Sequence, residues 1–124
     1  MQDSLEWWQC MFKMHSMLLK EQDDALLREF KKQLDTIRFE YGKPYEGLGV
    51  GGAYVKDIAG WFDDVSRWSE AQGDYLDAEK YLRIAMDFYQ EPQLNFNSDC
   101  YLEALYRMYD IVDHCPRSSK GPWC

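Results

Sequence analysis

The sequence lacks any apolar run that approaches the ~20 residues needed to cross a bilayer, so no membrane span is predicted in its 124 residues. The N-terminal stretch MQDSLEWWQC lacks the basic and apolar regions of a secretory signal peptide. Together these absences predict a cytoplasmic protein, located in the host cytoplasm if the chain is viral.

Closely spaced cysteine pairs are also absent. The four cysteines are Cys10, Cys100, Cys115 and Cys124. None forms a Cys-x-x-Cys pair, so reduced thiols are expected in a cytoplasmic chain. A zinc site built from Cys10, His15, His114 and Cys115 would join two distant halves of the sequence without the usual ligand spacing. The sequence therefore predicts neither a bound metal nor a cofactor.

Positive charge is in deficit, with 14 Lys and Arg against 22 Asp and Glu and a net charge of −8. The tightest basic pair, Lys31–Lys32, is flanked by Glu29 and Asp35. Proteins that bind nucleic acid directly normally carry a basic patch. We therefore expect no direct contact with nucleic acid or with anionic membranes. An acidic chain is better suited to a basic groove on another protein.

Alternating apolar patterns and Asn-Gly turns are missing, whereas apolar residues recur at spacings of three and four. This pattern predicts an all-α fold of four to five helices, paired as antiparallel hairpins in a small bundle. The predicted helices span about 4–41, broken near Glu21–Asp24 where Asp23 or Asp24 caps a second helix, then 53–72, 75–90 and 99–114. We expect a single helical domain over 1–124, with a flexible loop at about 42–52 and a polar tail at about 116–124.

Helical spacing assigns most aromatic residues to the core. On the fourth helix the predicted buried positions are Leu76, Tyr81, Leu82, Ala85, Met86 and Tyr89. On the fifth helix the predicted apolar positions are Leu102, Leu105, Tyr106, Tyr109 and Val112. Trp7 and Trp8 are adjacent and cannot face the same side of one helix, so one of them is expected at the surface or at an interface.

The stretch Gly47–Gly52, GLGVGG, has the Gly-x-Gly-x-x-Gly spacing of a phosphate-binding turn. A dinucleotide site requires a buried strand before these glycines, and the preceding RFEYGKPYE is not one. The favoured interpretation is a flexible connection between helical hairpins. Anion binding at the following helix N-terminus and a backbone contact with a partner are the alternatives.

The segment QGDYLDAEKYLRIAMDFYQEP resembles the second helix of a tetratricopeptide repeat, with Gly73 at the turn and Ala78 and Ala85 at the small-residue positions. The resemblance covers one helix pair, about residues 59–92, and departs at Ser69, where an aromatic residue is usual. It does not recur one repeat length away, although repeat proteins stack neighbouring units. The resemblance implies peptide or protein binding.

Seven carboxylates lie between Asp57 and Glu79, where Arg67 is the only basic residue. Asp63 and Glu70 are seven residues apart and share one helix face. Such a surface could imitate the regular negative charge of a nucleic-acid backbone, or it could simply be a solvated face. The predicted partner-binding residues are Asp57, Asp63, Asp64, Glu70, Asp74, Asp77 and Glu79, together with the aromatic anchors Trp7, Tyr45 and Trp123.

These features favour a non-enzymatic protein-binding module, most concretely a small acidic inhibitor or decoy that blocks a basic nucleic-acid-binding surface. In being short, acidic, aromatic-rich and helical, the chain resembles phage-encoded inhibitors of host defence, including anti-CRISPR proteins. No catalytic residues are predicted. A structural adaptor or homo-oligomer joined through the first helix is an alternative.

An enzymatic alternative comes from EYGKPYEG and FDDVSRW, which are similar to segments of MazG-like helical nucleotide pyrophosphatases. That resemblance implies Mg²⁺ held between facing helices, here by Asp63, Asp64, Asp77 and Glu79. The Glu-x-x-Glu motif of that family is missing from this sequence.

Overall fold

The computed structural model describes residues 5–37 and 54–114, apart from the side chain of Gln93. These residues form five α-helices and no strand, which confirms the all-α prediction. The helices are α1 (Leu5–Lys20), α2 (Asp24–Leu34), α3 (Val55–Ala71), α4 (Tyr75–Tyr89) and α5 (Ser98–His114), with a 3-10 turn at Pro92–Leu94 before α5. The predicted loop at about 42–52 and the predicted tail at about 116–124 lie outside the described residues.

Short side chains set the helix boundaries. Asp23 accepts hydrogen bonds from the backbone N–H groups of Ala25 and Leu26, at 2.8 and 3.2 Å, and so begins α2. The predicted break between the first two helices is thereby confirmed. Asp74 begins α4 by accepting from the Asp77 N–H at 3.2 Å.

The contacts of the chain divide it into two compact units, Met1–Ile58 and Ala59–Cys124. The organisation into a single domain stays a prediction. In the first unit, α1 packs against α2. Their buried residues are Trp8, Met11, Leu18, Leu27, Phe30 and Leu34. His15 lies 6.0 Å from Phe30, ring centre to ring centre, as a core-facing histidine would.

In the second unit, α4 packs against α5. Phe62 of α3 stacks on Tyr81 and Phe88 of α4, with ring centres 6.0 and 6.3 Å apart. Ala78 and Ala85 are fully buried, as small residues at a close helix contact are. None of the helices within residues 5–37 and 54–114 combines the length and the apolar character of a membrane span.

Four residues assigned to apolar positions by spacing are exposed in the structure: Leu76, Leu102, Tyr106 and Tyr109. The buried stripe of α5 consists instead of Ala104, Met108 and Ile111. The predicted burial of Leu76 was therefore wrong, and α5 exposes a second apolar row at Leu102, Tyr106 and Tyr109.

Candidate functional site

A polar network joins the three helices of the second unit around the carboxylate of Asp63. Arg107 of α5 donates from Nη1 to Asp63 Oδ1 at 2.5 Å, and the hydroxyl of Tyr89 donates to Asp63 Oδ2 at 2.5 Å. The side chains of Asp63 and Arg107 are each 16% exposed. Asp63 therefore connects α3 to both α4 and α5.

Arg107 makes two further contacts through Nη2. It donates to the hydroxyl oxygen of Ser66 at 3.0 Å, and it lies 3.7 Å from a carboxylate oxygen of Glu70. The Ser66 hydroxyl in turn donates to the carbonyl oxygen of Ala78 at 2.7 Å. A single guanidinium thus hydrogen-bonds to Asp63 and Ser66 of α3 and forms an ion pair with Glu70 of the same helix.

The network changes the acidity of Tyr89. Burial raises the pKa of this phenol far above its usual value, and the hydrogen bond to Asp63 and the charge of Asp63 raise it further. Tyr89 is therefore a neutral donor to Asp63 throughout the physiological range.

This arrangement places three of the predicted partner-binding carboxylates in internal interactions. Asp63 and Glu70 are brought together by Arg107, and Glu79 pairs with Arg83 at 2.6 Å on the same helix. Each of the three is paired with an arginine of the second unit, and Asp63 and Glu70 share Arg107. The sequence could not show this, because Arg107 lies 44 residues from Asp63.

The other four predicted carboxylates differ in position. Asp57 is exposed on α3, Asp74 is exposed and caps α4, and Asp64 and Asp77 are half-buried. The seven residues therefore do not form one continuous exposed row. Within the described part of the chain, no group of three or more His, Cys, Asp or Glu residues is placed to hold a metal ion.

Of the predicted aromatic anchors, Trp7 lies within the described residues, and Tyr45, Trp123 and the Gly47–Gly52 loop lie outside them. Trp7 is half-buried, and its indole Nε1–H donates to Gln33 Oε1 of α2 at 3.0 Å. Its ring packs edge-to-face against Trp8, with ring centres 4.8 Å apart. Trp7 thus links α1 to α2 through this hydrogen bond and has a structural role within the first unit.

Three large and exposed apolar side chains of the second unit lie on α5. Leu102 is 45%, Tyr106 70% and Tyr109 62% exposed. Their spacing of four and three places them in one row along the helix. Four carboxylates on the same helix are also exposed: Asp99, Glu103, Asp110 and Asp113. We call these seven residues the α5 face.

One end of the α5 face borders a cavity of about 610 Å³ between the end of α4 and the start of α5. Tyr89, Phe96 and Tyr101 supply aromatic walls, and Leu102 belongs both to the cavity and to the α5 face. Tyr89 and Phe96 meet edge-to-face, with ring centres 5.0 Å apart. The volume falls within the range of about 300–1,000 Å³ that is usual for pockets that bind ligands.

At the other end of α5, His114 donates from Nδ1 to the carbonyl oxygen of Asp110 at 2.8 Å. That hydrogen bond, together with the nearby carboxylates Asp110 and Asp113, raises the pKa of His114. The side chain of His114 lies 4.0 Å from the Asp110 carboxylate. Positive charge is favoured at this position because the helix C-terminus is the negative end of the helix dipole.

Comparison of the chain with known protein families found no family model that matches it, and comparisons with curated proteins and with solved structures found no match. The interpretation of the site therefore rests on its geometry and charge.

Proposed function

We propose that the chain is a non-enzymatic protein-binding module whose acidic surface engages a basic site on a partner protein. In its most concrete form it is a small cytoplasmic inhibitor or decoy that blocks a basic nucleic-acid-binding surface. The phage anti-defence class, which its general character resembles, would be its biological setting.

The observation that carries this proposal is the separation of charge on α5. The single arginine of this helix points inward to Asp63, while its four carboxylates remain exposed. Basic side chains elsewhere in the described second unit, such as Arg67 and Arg83, are paired with acids on their own helices. All four carboxylates of α5 are exposed, whereas only Asp57 and Asp74 are exposed among the seven predicted carboxylates from Asp57 to Glu79.

Electrostatic attraction of this kind requires a partner with a basic surface. Complementary charge speeds encounter and selects among partners, and it weakens as salt screens it. A nucleic-acid-binding protein has the required basic surface, because it must neutralise phosphates.

The test is affinity capture from a lysate of the cell in which the protein acts, with the tagged chain as bait, washed at low and at high salt and identified by mass spectrometry. The matched control is a bait in which Asp99→Asn, Glu103→Gln and Asp110→Asn remove exposed charge without touching Asp63. We expect a nucleic-acid-binding protein that is retained at low salt, is released at high salt and is lost from the control bait.

Adding the chain to the captured partner should also displace the partner's nucleic acid, measured by a mobility shift. Recovery of no basic protein would overturn the proposal. Equal capture by the native and control baits would show that these exposed carboxylates do not direct the binding.

A further inference from the structure

The geometry points to the α5 face as the docking surface, and to a basic amphipathic protein segment as the partner structure that it takes. This inference rests on the proposed function and goes beyond it, because it names the surface and the form of the occupant. The sequence had placed the interaction on the carboxylates from Asp57 to Glu79.

The apolar part of the α5 face is unusual for a helix that already contributes to a core. Ala104, Met108 and Ile111 bury one side of α5, yet Leu102, Tyr106 and Tyr109 form a second apolar row in contact with solvent. Large aromatic side chains that stay exposed do not contribute the favourable free energy that their burial would give. Tyrosine is also a frequent energetic anchor of protein interfaces. This row therefore marks a contact surface.

The charged part of the face selects the kind of partner. Asp99, Glu103 and Asp110 follow one another at intervals of four and seven residues, which places them along one side of the tyrosine row. Asp113 continues the row itself, four residues after Tyr109. An occupant that buries apolar side chains on the tyrosines must therefore carry Lys or Arg beside them.

A second copy of the chain fits this face poorly. A symmetric pair would join the same patch on both copies and would bring two sets of four carboxylates together. Like charges in close juxtaposition across an interface disfavour association. A basic segment avoids this repulsion and gains from each carboxylate.

The cavity at the Leu102 end supplies an anchoring position. A side chain of the docked segment that enters it would contact the rings of Tyr89, Phe96 and Tyr101. A side chain that fills a pocket beside a row of contacts is a common energetic anchor of a protein interface. The segment would then run from the cavity along α5 past Tyr106 and Tyr109.

The experiment uses the full chain and three fluorescein-labelled synthetic peptides, each 17 residues long to match α5. One is a helix-forming peptide with a Leu face and a Lys face, the second replaces every Lys by Glu, and the third keeps the Lys but replaces every Leu by Ser. Binding is followed by fluorescence anisotropy at about 50 mM and about 500 mM salt, which changes the screening length severalfold.

We expect the Leu/Lys peptide alone to bind well. The double variant Tyr106→Ala with Tyr109→Ala should weaken it at least about tenfold, as loss of interface anchors does. Leu76→Ala, which removes an exposed leucine from α4, is the matched control and should leave binding unchanged. Glu103→Gln with Asp110→Asn should weaken binding at low salt but not at high salt, and it provides a second route if the tyrosine variant loses its helical circular dichroism.

Each other result contradicts the inference in a distinct way. The tyrosine variant and the native chain could bind equally, or the Leu/Lys and Ser/Lys peptides could bind equally. Either result would show that the apolar row does not contribute to binding, while an acidic, charge-driven function would remain compatible with the data. Equal binding of the Leu/Glu and Leu/Lys peptides would show that the charge of the peptide does not determine binding. Binding of none of the peptides would overturn the docking surface, and the capture experiment would still decide the proposed function. A mass of twice 14.8 kDa by light scattering that is lost in the tyrosine variant would assign the face to a second copy.

Discussion

Arg107 and Arg67 both contact Asp63 Oδ1, but the side chain of Arg107 is much more buried than that of Arg67. Arg107 is 16% exposed and bonds at 2.5 Å, whereas Arg67 is 49% exposed and lies at 3.3 Å on the same helix as Asp63. We expect Arg107→Gln to lower the free energy of unfolding by about 3 kcal/mol, because it leaves a half-buried carboxylate without its main partner. The measurement is urea unfolding followed by circular dichroism.

Arg67→Gln is the matched control, since it removes the second arginine from the same oxygen. Its expected cost is below about 1 kcal/mol, because exposed ion pairs are weakened by solvent. Equal costs for the two variants would show that the network contributes little beyond surface charge.

Tyr89 makes a separate prediction about alkaline stability. Its pKa in the folded state is raised above the usual value of 10.0, so the fold favours the protonated phenol. The stability gained in this way is fully present below pH 10.0 and is lost as the pH rises towards the folded pKa, because the unfolded tyrosine ionises first.

The comparison that isolates this effect is between the native chain and Tyr89→Phe, because the other tyrosines titrate in both. The stability difference between the two proteins should stay constant at neutral pH and shrink above the ordinary tyrosine pKa. A difference that stays constant into strongly alkaline solution would contradict the raised pKa. Unfolding in urea at a series of pH values measures it.

At the scale of elements, two glycines of the α3–α4 hairpin have opposite roles. Gly73 ends α3 with φ of +78°, where its N–H donates to Glu70 O and the Asp74 N–H donates to Ser69 O, each at 2.9 Å. This is the hydrogen-bond pattern of a Schellman helix end, which favours glycine. Gly60 lies within α3, and a Cβ added there would meet no atom within 4 Å.

We therefore expect opposite signs for the same substitution. Gly73→Ala should destabilise the chain by about 1 kcal/mol, because an L side chain is strained at positive φ. Gly60→Ala should stabilise it by about 0.5–1 kcal/mol through helix propensity. Thermal unfolding of both variants tests the pair, and destabilisation by Gly60→Ala would mean that its position is more crowded than the structure shows.

Local signals account for what could be predicted at this scale. Asp23, Gly73 and Asp74 mark helix ends through contacts with their near neighbours, so the boundaries of α2, α3 and α4 were recoverable from sequence. The faces of α5 were not, because this helix carries apolar residues on more than one side. Arg107 decides between them: it lies three residues after Ala104 and four before Ile111, so pairing with Asp63 turns that side inward and Tyr106 outward.

The same reasoning applies to the candidate site. The excess of acid was readable from composition, but which carboxylates remain exposed depends on partners distant in sequence. Asp63 meets Tyr89 and Arg107 only after three helices pack together. A row of acids on one helix therefore indicates a charged surface only when the neighbouring helices supply no arginine.

At the scale of the whole molecule, the two compact units differ in the number and kind of interactions within each of them. The second unit combines packing of α4 on α5 with the Asp63 network and the stacked rings of Phe62, Tyr81 and Phe88. In the first unit the described contacts are chiefly those of α1 with α2, which have 16 and 11 residues. Helices of this length are marginal in isolation, and a pair of them buries little apolar surface.

We therefore expect a fragment of residues 54–124, which keeps α3 whole, to unfold cooperatively on its own. The complementary fragment 1–53 should show weak helical circular dichroism without a sharp transition, because it also loses Tyr54, whose ring packs edge-to-face on Phe12 at 5.0 Å. Thermal unfolding of each fragment and of the full chain is the measurement. The 54–124 fragment carrying Arg107→Gln is the control, since it removes the main partner of Asp63 from the same three helices. A broad, non-cooperative transition for the unmodified 54–124 fragment would mean that the second unit depends on the first for its stability. The network around Asp63 would then be insufficient to hold three helices together.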